Sequence, residues 1–404
     1  MKKISNLLIL AVLAIGMGLT SCEGALDDIL GEWSRPSKNP SENPESPAVS
    51  LATPLTLEAI TDGTITVTNP KPSMKFSLNG GAKSAVTTNP INVAAGDKVQ
   101  FYGAETQYYN GATGTAFGGT AEVKVYGNIM SLLDETGYET KTDLPNESSV
   151  FHSLFYGNAK LTDASGLLLP AMTLANQCYY GMFYGCTSLT TAPELKAETL
   201  APSCYNAMFQ GCTSLTVAPE LKSETLADNC YSHMFQGCTS LTTAPKLPAM
   251  MLTGGCYYAM FDGCTSLTVA PELKAETLAN CCYEGMFSGC TALTTAPKLP
   301  ATTLANYCYY FMFTGCTALT TAPELKAETL APSCYLSMFE GCTSLTTAYV
   351  KAAFTDSNFE CSDMFKDCTA TGAKLHTTSG NKSSWDSAIS SNSWSTWTAV
   401  GDWN

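Results

Sequence analysis

The residues best equipped for chemistry in this chain are cysteines, and they come in pairs. Cys178 and Cys186 stand eight apart, and the same spacing recurs in Cys204 and Cys212, Cys230 and Cys238, Cys256 and Cys264, Cys282 and Cys290, Cys308 and Cys316, and Cys334 and Cys342. It closes to seven in Cys361 and Cys368, while Cys22 and Cys281 stand outside the pairs. Zinc binding needs several thiolates or imidazoles converging in a fixed geometry, yet no His or third Cys recurs with these pairs, so no metal is expected. Two states remain. Strict pairing in an exported chain favours disulfides. A buried thiol ladder is favoured by the first, degenerate copy, where Val150 and Asn158 take the two places and imply that each has a packing role without a bond. The sequence leaves both open.

Other residues keep the same rhythm. Tyr179, Tyr205, Tyr231, Tyr257, Tyr283, Tyr309 and Tyr335 lie 26 apart, and such constancy suits a wall of the core. The next position varies freely through Tyr180, Asn206, Ser232, Tyr258, Glu284, Tyr310 and Leu336, which makes it the candidate binding column, where selectivity for a partner can be written. Glu194, Lys196 and Glu198 alternate with small or apolar residues and read as a solvated face. The three histidines, His152, His233 and His376, sit in unrelated contexts and read as structural. No paired catalytic acids, no nucleophile with a recurring base and no phosphate loop stand out, so neither enzyme activity nor a cofactor is expected.

Charge narrows the partners further. The 404 residues carry a formal net charge of −14, and Arg35 is the only arginine. Recognition of a phosphate backbone needs clustered cations, so nucleic acid is not an expected partner.

These residues must be positioned by a scaffold whose parts read in order. Residues 1–21 set Lys2 and Lys3 before an apolar run too short to span a bilayer, the pattern of a signal peptide. Leu19-Thr20-Ser21-Cys22 resembles the lipobox of bacterial lipoproteins, which implies that Cys22 is acylated and becomes the mature N-terminus. Glu23, Asp27 and Asp28 behind it look like surface-export signals of such lipoproteins. Residues 22–50 are rich in Pro, Ser, Asn and Glu and read as a lipidated, solvated tether. Across residues 51–128, "TITVTN", "MKFSLNGG", "DKVQFYG" and "AEVKVYG" alternate apolar and polar residues between turn signals, which predicts a small β-sandwich-like domain. Asn79-Gly80-Gly81 is its clearest hairpin turn.

Residues 129–177 read as a junction and an N-terminal capping repeat, 178–348 as the repeat array, and 349–404 as a degenerate repeat followed by a cap holding Trp385, Trp394, Trp397 and Trp403. The dipeptide Met-Phe recurs every 26 residues from Met182 to Met364, and each unit carries its own turn residues and proline, which excludes a long helix. A unit of this length, with Leu, Phe, Met, Ala and Cys at fixed offsets, makes one coil of a repeat solenoid. The recurring "MFxGCTSLTTAPxL" resembles the BspA-like leucine-rich repeats of bacterial surface proteins. That resemblance implies a solenoid with short parallel strands, displayed on the outer membrane by its lipid anchor and used for protein binding or adhesion. The expected partner is an extracellular protein or glycan, met through the solenoid, with the membrane touched by the lipid alone. A structural surface spacer with no specific ligand is the alternative.

Overall fold

Period-two alternation builds the first part of the described chain. The computed structural model describes residues 49–392 and 394–403. The expected signal peptide, Cys22 and all of the tether before Val49 lie outside the described residues. Eight strands follow: β1 (Leu55–Ala59), β2 (Gly63–Thr68), β3 (Lys75–Leu78), β4 (Ser84–Ala85), β5 (Ile91–Val93), β6 (Lys98–Tyr102), β7 (Ala116–Gly119) and β8 (Val123–Asn128). Alternate residues, among them Leu55, Leu57, Ile65, Val67, Val99, Phe101, Val123 and Val125, are buried in a shared core. Asn79 and Gly80 both adopt left-handed backbone, with φ of 52° and 73°, and turn β3 into β4.

One strand comes from further along the chain. The larger sheet has the order β4-β3-β6-β1-β8-β9, and β9 (Leu161–Leu168) pairs parallel with β8; the smaller sheet is β5-β2-β7. The sheet therefore does not stop at residue 128, where the alternation stops. A parallel neighbour needs a crossover rather than a hairpin turn, so no local turn signal announces it. The crossover here ends in the first half of the degenerate copy of the repeat, and β9 is that copy's continuation.

From that copy onward, backbone bonds run from unit to unit. In the unit of Cys178, the odd-numbered N–H groups from Gln177 to Gly185 donate to carbonyls 25 residues on, in the next unit, as Phe183 does to Met208 at 2.9 Å. The even-numbered N–H groups from Cys178 to Cys186 close turns on the carbonyl three residues back. Both kinds of bond recur along the array. Gln177, Gly181 and Gly185 take φ of 54°, 54° and 69°, so a left-handed residue bends the chain every fourth position. The third of these places is Gly in every full unit, with φ between 68° and 73°. The backbone angle demands it.

The other side of each unit shows how proline limits a sheet. Isolated parallel bridges join Val217 to Thr243 and Thr243 to Val269, but Pro219, Pro245 and Pro271 follow two residues later and offer no N–H to extend them. Where Ala348-Tyr349 replaces Ala-Pro, a strand forms. A four-stranded parallel sheet then runs β10 (Thr321–Leu325), β11 (Thr347–Val350), β12 (Ala373–His376), β13 (Trp397–Val400). Pro323 is tolerated in β10 because β10 is an edge strand, and the register shifts there between Thr321 and Glu324.

Side chains repeat inside as regularly as the backbone does outside. Rings from Phe155 to Phe365 stack with centroids 5.3–5.8 Å apart. Those from Tyr179 to Tyr335 stack at 5.7–6.2 Å. Both ladders have a built front end, and the Phe ladder a built back end. At the front, Phe117 stacks on Phe155 at 5.4 Å and Tyr108 on Phe151 at 6.1 Å, so the β-sheet region continues the array's core. At the back, Phe365 meets Trp397 at 4.3 Å and Trp394 at 5.5 Å, beneath the helix α1 (Lys382–Ser391). Trp385 of α1 donates its Nε1–H to the Ala352 carbonyl at 2.9 Å. Apolar ends that would otherwise face water are covered.

Candidate functional site

Turn geometry decides which side chains reach the surface. Within the stretch from Asn176 to Cys186, Cys178, Tyr179, Met182, Phe183 and Cys186 are buried, while Asn176 is exposed and Gln177, Tyr180 and Tyr184 are half-buried. Stacking the units turns these outward positions into parallel columns on one face.

The candidate column predicted from sequence lies on that face. Tyr180, Asn206, Tyr258, Glu284, Tyr310 and Leu336 are half-buried, but Ser232 is buried, and its Oγ lies 2.8 Å from His233 Nδ1. Tyr180 ends a short outer stack, with His152 between it and Tyr109 at centroid separations of 4.7 and 4.0 Å. Burial there pulls the His152 imidazole down to about 4. Tyr258 meets His233 edge to face at 4.7 Å. Burial also lowers His233, against the opposing pull of Asp262.

A second column on this face escaped the sequence reading. Tyr184 stacks on Tyr156 at 4.8 Å, Gln210 donates to Gln236, Gln236 Nε2 donates to Asp262 Oδ2 at 2.6 Å, and Lys366 pairs with Glu340 at 2.9 Å. Its signal was variation at the fourth residue beyond the first column, a spacing that places two side chains on one face when a left-handed residue recurs every fourth position.

The middle of the face is hollow. A cavity of about 390 Å³ is lined by Asn229, Gly254, Gly255, Tyr258, Asn280, Cys281 and Glu284. Thus Tyr258 and Glu284 of the candidate column converge there, whereas Tyr180 and Leu336 belong to units near opposite ends of the array. Burial holds the Glu284 carboxyl above the usual carboxylate range, and the Cys281 thiol beside it offsets part of that. Burial, with Glu284 adding to it, pushes Cys281 up to about 12, which keeps it a thiol.

The paired cysteines take a structural place. All seventeen described cysteines are free thiols, and every paired one is buried. From Cys186 to Cys368, the second of each pair donates Sγ–H to a Phe carbonyl of the preceding unit at 3.0–3.1 Å, as Cys212 does to Phe183. Around Cys212 the titratable neighbours are same-column thiols one unit away, Cys238 and Cys186.

The Glu and Lys columns are solvated. Glu194 pairs with Lys222 at 2.7 Å and Lys196 at 3.3 Å, all three well exposed, and such pairs add little stability. The Tyr179 series is core, with exposure of 2 % or less throughout. Among the described residues, no group of three or more His, Cys, Asp or Glu is arranged to hold a metal, and no helix is long and apolar enough to cross a membrane. No family model, curated protein or solved structure matches the chain.

Proposed function

We propose that the stacked units are a solenoid of the BspA-like leucine-rich-repeat kind, and that the chain is a binding or adhesion module held at the bacterial outer surface by a lipid on Cys22. Its partner is an extracellular protein or a glycan, and its role is recognition rather than catalysis. The supporting observation is how variation is distributed. Units are near copies in their buried Cys, Tyr, Met and Phe columns and differ on one half-exposed face, at Tyr180, Asn206, Tyr258, Glu284, Tyr310 and Leu336. Side chains that differ on a constant frame can select a partner without disturbing the core. A repeating frame also gives a long, continuous surface.

Probing the purified protein against immobilised glycans and extracellular proteins tests this reading. The expected result is a restricted set of bound partners, lost when the half-exposed column is replaced by serine with melting unchanged. A protein that binds nothing on either surface is a spacer instead. Anchoring is tested separately, since Cys22→Ala should leave the membrane fraction.

A further inference from the structure

Three departures from the repeat meet at one place. Gly254 and Gly255 are the only glycines in their two columns, where the flanking units carry Asp228-Asn229 and Asn280-Cys281. Glu284 is the only carboxylate in its column. Thirty residues separate Gly254 from Glu284, one unit plus four residues, and stacking brings them to the same hollow of about 390 Å³. The hollow is shallow and open, with room for the end of one side chain rather than for an enclosed ligand. Removing two consecutive side chains opens it.

The chemistry inside is that of a missing positive charge. Glu284 is half-buried, follows Tyr258 and precedes Tyr310 in the column, and Cys281 lines the same hollow beside it. Among the described residues, no Lys, Arg or His lies within ion-pair distance of it, and none lines the hollow. A carboxylate drawn from water without a counter-ion is costly, and a cation arriving beside it recovers that cost.

We propose that this hollow receives one basic side chain of a partner protein, a lysine ammonium or an arginine guanidinium, with Glu284 as its counter-ion and Tyr258 as its aromatic wall. A tyrosine ring face attracts a cation held against it. Asn229 and Asn280 also line the hollow; the Asn280 Oδ1 already accepts the Asn306 N–H at 3.2 Å and keeps one acceptor site for the N–H groups that an ammonium or guanidinium has in excess. The chain's net charge of −14 draws basic partners toward the surface. This inference rests on the binding role proposed above and narrows its partner to a protein with exposed basic side chains.

The test titrates the full chain with acetyl-Gly-Lys-Gly-amide, acetyl-Gly-Arg-Gly-amide and acetyl-Gly-Gln-Gly-amide by ligand-observed NMR. The two cationic peptides should bind and the neutral one should not. Glu284→Gln should weaken the cationic peptides about tenfold. Gly254→Asn with Gly255→Gln, copying Asn176-Gln177, should fill the hollow and abolish binding; Gly255 has φ 58° and a Cβ there presses on Asn229 Oδ1, so melting should fall modestly while the protein still folds, as the side chains at these places in other units show is possible. Equal binding of the glutamine peptide, or cationic binding untouched by both changes, overturns the assignment. Partners retained on the protein or glycan surfaces by both variants also overturn it, while leaving the broader binding role standing. A parent that binds no peptide and no surface overturns both.

Discussion

The Sγ of Cys238 donates to the backbone oxygen of Phe209, 3.1 Å away in the preceding unit. Its partner is thus a carbonyl of the neighbouring unit and not Cys230, eight residues earlier in its own. The same carbonyl already accepts the Cys212 N–H at 3.0 Å, so the thiol adds a second, weak bond across the unit boundary. Alkylation of the protein unfolded without reductant should therefore modify all seventeen described cysteines, and the native protein should react slowly, since Cys238 among others is pushed up to about 12 by burial. Protection of sixteen cysteines until reductant is added would show disulfides.

Phe235 is fully buried between Phe209 and Phe261, with both ring centroids 5.7 Å away. Phe235→Ala should cost about 3–5 kcal/mol in denaturant unfolding. Phe359, 64 % exposed, is its control, and Phe359→Ala should stay within about 0.5 kcal/mol. Because units bond chiefly to their neighbours, hydrogen exchange in the Phe235 variant should rise most in the adjoining units.

Gly237 sits at φ 71°, and a Cβ built there meets only ordinary contacts of 3.8 Å with Gly211. Space is available but the backbone angle is not. Gly237→Ala should lower unfolding stability by about 1–2 kcal/mol while leaving the aromatic ladders, read by near-ultraviolet circular dichroism, in place.

Stability should also fall in mild acid through His152. Burial lowers its folded value from an ordinary 6.5 to about 4, so between these the unfolded chain binds the proton more readily than the folded one. Its contribution is unchanged above about 6.5 and is lost as pH falls toward 4. Replacing it in the stack by His152→Phe should flatten that part of the pH profile of denaturant unfolding.

The period of the array was legible because identical residues recur at identical places, and Phe, Tyr and Cys columns need nothing beyond spacing to be seen. β2, β3, β6 and β8 were legible for the same reason at period two. β9 was not: "LTDASGLL" lies within a degenerate repeat, and its parallel pairing with β8 is made by a crossover that leaves no turn signature. Only β10 of the array's proline-bearing units forms a strand, although every unit carries the same apolar places, because proline removes the N–H that pairing requires. The hollow was half-legible. Gly254-Gly255 and Glu284 are visible singly as exceptions, but their meeting depends on how one unit stacks on the next.

Two deletions of 26 residues test the central claim, that interchangeable units carry one irregular recognition place, most directly. Removing residues 202–227 joins Ala201 to Asp228, and removing 254–279 joins Thr253 to Asn280, each in register. Both proteins should fold and melt nearly alike, the first should keep binding the lysine peptide, and the second should lose it. Loss of binding with 202–227, or its survival without 254–279, would contradict the account.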